Sequence, residues 1–180
     1  MANRVHIFGA SGSGTTTLGT ELSKRLRVPH LDSDAYYWKQ TDPPFVEKNE
    51  PSVRIRQIER DISTVDSWIL SGSICNWGDP LLHHFTIAVF LQLDPSIRMK
   101  RIKNREIDRY SDRIQPDGDM HQKHLEFMSW AESYDTAKAS IRSLDLHEKW
   151  MTTLPCLILR LDSGRKVENL VEEVLMLVAD

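Results

Sequence analysis

Five short apolar runs, at residues 5–9, 30–34, 68–71, 87–93 and 156–161, predict buried β-strands. Between them the apolar positions change to helical spacing. Leu18, Leu22 and Leu26 share one face of a helix expected over about 14–27, after which Pro29 turns the chain into the second strand. Ile55, Ile58, Ile62 and Val65 repeat the pattern over 51–66. Asp94-Pro95 marks a helix start, with Asp94 as N-cap and Pro95 at the first helical position, and that helix should run to about Arg109. Phe127, Trp130, Tyr134, Ala137, Ile141 and Leu144 alternate three and four apart, which predicts one long amphipathic helix. Val167, Leu170, Val171, Val174 and Val178 line the inner side of a last helix. Strands that alternate with helices predict an α/β fold of three layers, a parallel sheet covered on both faces.

Two segments lack this patterning. Residues 39–50 contain Asp42-Pro43-Pro44, and residues 110–120 contain Gln115-Pro116-Asp117-Gly118. Both are read as turn-rich loops, of the kind that form lids and substrate clamps beside a ligand site. Neither reads as a domain boundary. The expectation is one domain over 1–180 with a lid-like segment at about 105–122.

Composition narrows the class of function. With 40% hydrophobic and 27% charged residues the chain is ordinary for a soluble globular protein. A formal net charge of −3 makes no global electrostatic case for nucleic acid or an anionic membrane as partner. Cys75 and Cys156 lie in or beside apolar runs and read as buried free thiols in a reducing compartment. No signal-peptide pattern and no membrane-spanning apolar run is present, so the expectation is a cytoplasmic protein, a monomer or homodimer, acting on a small molecule.

The candidate chemistry begins at Gly9-Ala-Ser-Gly-Ser-Gly14-Thr15-Thr16-Thr17, between the first strand and the first helix. Glycines let consecutive N–H groups point into one concavity, and the following helix adds free N–H groups and the positive end of its dipole. The phosphate-binding pattern G-x-x-x-x-G-K-[ST] is met at Gly9, Gly14 and Thr16, with Thr15 where the lysine stands. Ser11, Gly12, Ser13, Thr15 and Thr17 complete the expected phosphate contacts, and Thr16 is the expected ligand of Mg2+. Dinucleotide folds also open with a strand, a Gly-rich turn and a helix, and Tyr134 and Lys138 form a Tyr-x-x-x-Lys pair, but G-x-G-x-x-G is absent.

Asp32 and Asp34 end the second strand. Ligands of open parallel sheets bind beyond the carboxyl ends of the strands, so both carboxylates should face the crevice that holds the loop. Capping and turn formation are the competing roles for these residues. Tyr37 follows, a candidate wall for a planar substrate, and Ser71-Gly72-Ser73 ends the third strand.

On these motifs the chain resembles the small P-loop kinases that group adenylate, shikimate and gluconate kinases, and in particular their topology-modulation-type relatives. The resemblance follows the element order along nearly the whole chain and implies a five-stranded sheet in the order 2-3-1-4-5. Leu31-Asp32-Ser33-Asp34 is similar to the Asp-x-Asp of shikimate kinase, which implies Asp32 for magnesium and Asp34 for the substrate hydroxyls, as orienting group or base. Ser71-Gly72-Ser73 resembles the glycine-containing substrate turn of the group, which implicates Gly72 and Ser73. ATP is the implied phosphoryl donor, its adenine beside Asp162-Ser163-Gly164-Arg165.

Arg98, Arg101, Arg105 and Arg109 lie within an arc of roughly 80° on one helix face, with Arg113 just after. In the kinases this chain resembles, arginines at this point form the lid over the ATP phosphates. Arg105, Arg109 and Arg113 are the expected phosphate contacts; for Arg98 and Arg101 a solvated helix face is an equal alternative. One of them could supply the charge that Thr15 lacks. The reading is an ATP-dependent kinase acting on a nucleoside, nucleotide or hydroxy acid. The alternatives are a non-catalytic nucleotide-binding protein and an NAD(P)-dependent oxidoreductase.

Overall fold

The computed structural model describes residues 2–178. Five parallel strands form one sheet: β1 (Arg4–Gly9), β2 (His30–Asp32), β3 (Trp68–Ser71), β4 (Ile87–Gln92) and β5 (Leu157–Asp162). Their order is β2-β3-β1-β4-β5, the order the resemblance implies. The central β1 registers Val5 against Ile69 of β3 and Gly9 against Leu91 of β4.

The sheet is buried on both faces, which is why its inner strands read as continuous apolar runs. On one face Val5, Ile7, Val89 and Leu91 pack against Leu18 and Leu22 of α1 (Thr15–Leu26) and Val171 and Val174 of α7 (Val167–Val178). On the other, Phe8, Leu70 and Phe90 meet Ile58 and Ile62 of α3 (Pro51–Ile62) and Trp150 of α6 (Leu144–Met151). His6 joins this second core, with its ring stacked 4.7 Å from Phe85 and Nδ1 3.1 Å from the Leu70 carbonyl. Burial pushes its pKa down to about 3, so it is a neutral core group.

Local structure departs from the apolar periodicity in two places. The second strand ends at Asp32, whose carboxylate accepts the Asp34 N–H at 3.0 Å and so caps a short helix α2 (Ser33–Tyr37). Asp34 therefore stands on a helix rather than in a strand. The long helix expected from Phe127 to Leu144 is broken: α5 (His121–Glu132) gives way to a 3-10 turn at Ser133–Asp135. Arg98, on α4 (Pro95–Tyr110) and 1% exposed, is the cause. Its guanidinium donates to the Ala131 carbonyl at 2.8 Å and to Asp135 at 2.6 Å, pulling the C-terminal end of α5 inward. Ser143 then caps α6 by accepting the Leu146 N–H. Tyr134 turns inward to His147, 2.6 Å away, and no longer shares a helix with Lys138.

The two unpatterned segments meet. Arg113 holds Asp42 of one loop at 2.8 Å and Asp119 of the other at 2.6 Å, while the Tyr110 hydroxyl donates to the Pro44 carbonyl. The guanidinium of Arg109 lies 4.2 Å from the centre of the Phe45 ring. Both cysteines are free, Cys75 buried and Cys156 half-buried. Among the described residues no helix is long and apolar enough to cross a membrane.

Candidate active site

The loop between β1 and α1 owes its shape to backbone geometry that only glycine adopts readily. Gly12 and Gly14 have φ of 81° and 95°, in the left-handed region. Gly14 is the N-cap of α1 and has no side chain to cap with. The first bond of the helix ladder runs from the Leu18 N–H to the Gly14 carbonyl at 3.0 Å. The amides of Thr15, Thr16 and Thr17 lie ahead of it, aimed outward at the positive end of the helix, as an anion site requires. Gly9 closes the back of the loop, since a Cβ there would lie 2.5 Å from the Leu91 carbonyl oxygen.

A cleft of about 570 Å³ opens over this helix end. Loop residues Gly12 to Leu18, both acids of the Asp32/Asp34 pair, and three arginines of α4 line it. Asp32 joins the parts: one carboxylate oxygen accepts the Thr16 hydroxyl at 2.8 Å and the other the Asp34 N–H at 3.0 Å. Asp34 is the perturbed group. Asp34 is open to the cleft, yet the protein crowded around it pushes its carboxyl above the ordinary carboxylate range; neighbouring Asp32 adds to the rise, and Arg142, Arg105 and Arg109 pull against it. A carboxyl tuned upward beside a phosphate cradle is a candidate general base.

The arginine face divides by partner. Arg98 is an internal anchor. Arg101, Arg105 and Arg109 reach the cleft. Burial and neighbouring Arg109 lower the pKa of Arg105, and Asp34 offsets part of that. Ser163, Arg165, Val167 and Leu170 close the far end, where the loop after β5 was expected to meet adenine.

A family model described as an AAA domain (AAA_18) matches residues 5–123, the stretch that runs from β1 through the loop, the acidic pair and the arginine helix. The chain belongs to this family. It is 41% identical to YqaC of Bacillus subtilis (strain 168), an uncharacterized protein, over 97% of each chain. It is 27% identical to a shikimate kinase of Bacteroides fragilis over 56% of this chain and 62% of that one. The structure superposes on a shikimate kinase from Bacteroides thetaiotaomicron with a TM-score of 0.59 at 17% identity, covering 99% of both chains. The fold of this AAA-domain protein is that of the P-loop kinases.

In this family member not every residue singled out from the sequence faces the cleft. Gly12 to Thr17, Asp32, Asp34, Arg105 and Arg109 do. Ser11 lies behind the loop, where its hydroxyl accepts from Arg142 at 3.2 Å. Tyr37 is covered by Arg54, whose guanidinium lies 3.9 Å from the ring centre. Gly72 sits against Ser33, and Ser73 pairs with His147 at 2.9 Å. Arg113 is outside the cleft lining, its guanidinium taken up by Asp42 and Asp119. That pairing, with two carboxylates the loop pattern did not reveal, is why it stands apart from Arg105 and Arg109.

One residue was missed altogether. Arg142 comes from the turn segment before α6, yet its charge bears on Asp34 and its guanidinium lies 4.5 Å from the Trp130 ring centre. Its Nε is buried without a hydrogen-bond partner, and burial lowers its pKa. An orphaned donor of this kind is costly unless a ligand completes it. Its neighbours Ile141 and Leu144 read as part of one apolar stripe, so no local pattern marks Arg142.

The donor set also suits a magnesium–phosphate group. Thr16 and Asp32 supply hard oxygens 2.8 Å apart at the free end of α1. Among the described residues there is no cluster of three His, Cys, Asp or Glu side chains to favour an all-protein metal cage.

Proposed function

We propose that the protein transfers the terminal phosphoryl group of ATP to a small acceptor that carries both a hydroxyl and an anionic group. The observation that carries this reading is the chain Thr16–Asp32–Asp34, running from the phosphate cradle to an upward-shifted carboxyl beneath arginines. The amides of Gly12–Thr17 hold the donor phosphates. Thr16 and Asp32 would hold magnesium, which supplies charge neutralisation across the phosphates. Asp34 orients the acceptor hydroxyl and takes its proton as that oxygen bonds to the terminal phosphorus. The bond from that phosphorus to the bridging oxygen breaks, and its electron pair leaves with ADP. Arg105 and Arg109 counter the charge on the equatorial oxygens. Arg105 beside Asp34, with the charge of Arg142 bearing on the same carboxyl from behind the loop, keeps the acceptor end positive, which suits an anionic group on the acceptor. A nucleotide or a hydroxy acid therefore fits better than a nucleoside.

Thr15 favours one other reading, a nucleotide-binding protein that performs no transfer. Label from terminally labelled ATP separates the two. Magnesium-dependent label in an anionic alcohol or nucleotide is the expected result. Retention of all label in ATP across such a panel, with ATP bound, supports the non-catalytic protein. Binding of NAD(P) without ATP would sink both.

A further inference from the structure

Thr15 leaves the cradle without the lysine charge of the phosphate-binding pattern. We propose that Arg101 supplies that charge from the neighbouring helix, so that α4 and the loop together form the donor-phosphate site. The inference rests on the kinase reading and concerns how its donor end is built.

Helix α4 is fixed directly on the loop. A Cβ at Gly12 would lie 2.9 Å from Ile102 Cγ1 and 3.0 Å from the Arg98 carbonyl oxygen, so the two backbones touch there. Arg98 holds the helix in place through Asp135 and the Ala131 carbonyl. Between these two contact residues stands Arg101. Its Nη1 is the one atom within reach of a Cβ on Gly14, 3.9 Å away, at the mouth of the cradle beside Thr15. Four cations line the cleft, Arg101, Arg105, Arg109 and Arg165. Arg165 is paired with Glu173; Arg109 has Glu106 at 3.9 Å and covers Phe45. Arg105 bears on Asp34, at the acceptor end. Arg101 is exposed, lines the cleft and forms no ion pair among the described residues, so its guanidinium is open to an anion. A guanidinium reaching in from a packed helix offers a planar pair of donors, where lysine offers a point charge from within the loop.

The test measures dissociation constants of magnesium–ATP and of magnesium–tripolyphosphate, which has no base, for wild type, Arg101→Met, Arg101→Lys and the double variant Arg101→Met/Thr15→Lys. Arg101 is exposed and packs into no core, so its removal should leave the melting temperature in place. Arg101→Met is expected to weaken both ligands about tenfold or more, on the order of a charged hydrogen bond. Arg101→Lys should keep most of the affinity. The double variant should regain it, because the lysine restores the charge from its usual place. Unchanged affinity in Arg101→Met overturns the inference and leaves the kinase reading standing. A loss confined to ATP puts Arg101 under the base and overturns it too. If wild type binds neither ligand, the kinase reading itself falls.

Discussion

Replacing Asp34 with Asn is expected to lower kcat by about a hundred- to ten-thousand-fold, the range for loss of a positioned general base. Magnesium–ATP affinity should change little, because in the proposed reaction the donor phosphates meet the loop and Asp34 serves the acceptor. The pH dependence carries a sign that separates a base from a mere contact. Burial and Asp32 raise the Asp34 pKa, so wild-type kcat/KM should fall on the acid side at a pH above the ordinary carboxylate range. That acid limb should vanish in the variant's residual activity. Stability runs the other way. A carboxyl whose pKa is raised by folding contributes stability below its unfolded pKa, and that contribution is lost as pH rises through the folded value. The raised pKa of Asp34 thus costs the fold a little above the ordinary carboxylate range, discounted because the residue is open to solvent, and Asp34→Asn should melt at or slightly above wild type at neutral pH, with the difference closing in acid. An active-site charge held against its own stability is a common trade between function and folding. A variant that loses activity but melts lower at neutral pH would mean Asp34 is a structural partner of the arginines.

Arg98→Met should give the larger stability change. The guanidinium is 1% exposed and joins α4 to the end of α5 through Asp135, whose side chain is 33% exposed. Removing one member of a buried pair costs about 3–5 kcal/mol, and the partial exposure of Asp135 argues for the lower end. About 3 kcal/mol in a chain of this length corresponds to a melting temperature lower by roughly 6–12 °C. Thermal melts followed by circular dichroism check this. The same variant should weaken ATP binding indirectly, since Arg98 also holds α4 against Gly12. Lysine at this position keeps the charge but cannot serve the carbonyl and the carboxylate as a planar fork does, so Arg98→Lys should fall between the two.

Arg98, set beside the other arginines of its helix, marks where sequence pattern reached and where it stopped. The inner strands were legible because the sheet is covered on both faces there, so β3 and β4 are almost wholly apolar and β1 is interrupted only by His6. The loop was legible because its glycines and hydroxyls are consecutive, and the cap of α4 because Asp94-Pro95 is a local signal, with Asp94 accepting the Ser96 N–H at 2.9 Å. The order of the strands followed from the resemblance alone. Nothing local separates Arg98 from Arg101, Arg105 and Arg109 on a helical wheel. Arg98 turns inward because Asp135 and the Ala131 carbonyl, more than thirty residues away, meet it. The same contact breaks a stripe that periodicity reads as a single helix. Arg142 was beyond reach for a related reason: Ser11 and Asp34, the groups it meets, lie in distant parts of the chain. Helix α2 was hidden by its length of five residues, too short for a helical period to register.

In the proposed reaction a loop without its lysine, backed by α4, cradles a nucleotide polyphosphate. The amide resonances of the loop in a proton–nitrogen correlation spectrum test it most directly, titrated with magnesium and a non-hydrolysable ATP analogue. Saturable shifts are expected at Gly12, Gly14, Thr15, Thr16 and Thr17, with smaller changes at Asp32 and along α4. An unchanged spectrum at millimolar ligand, or shifts confined to other surfaces, would contradict it.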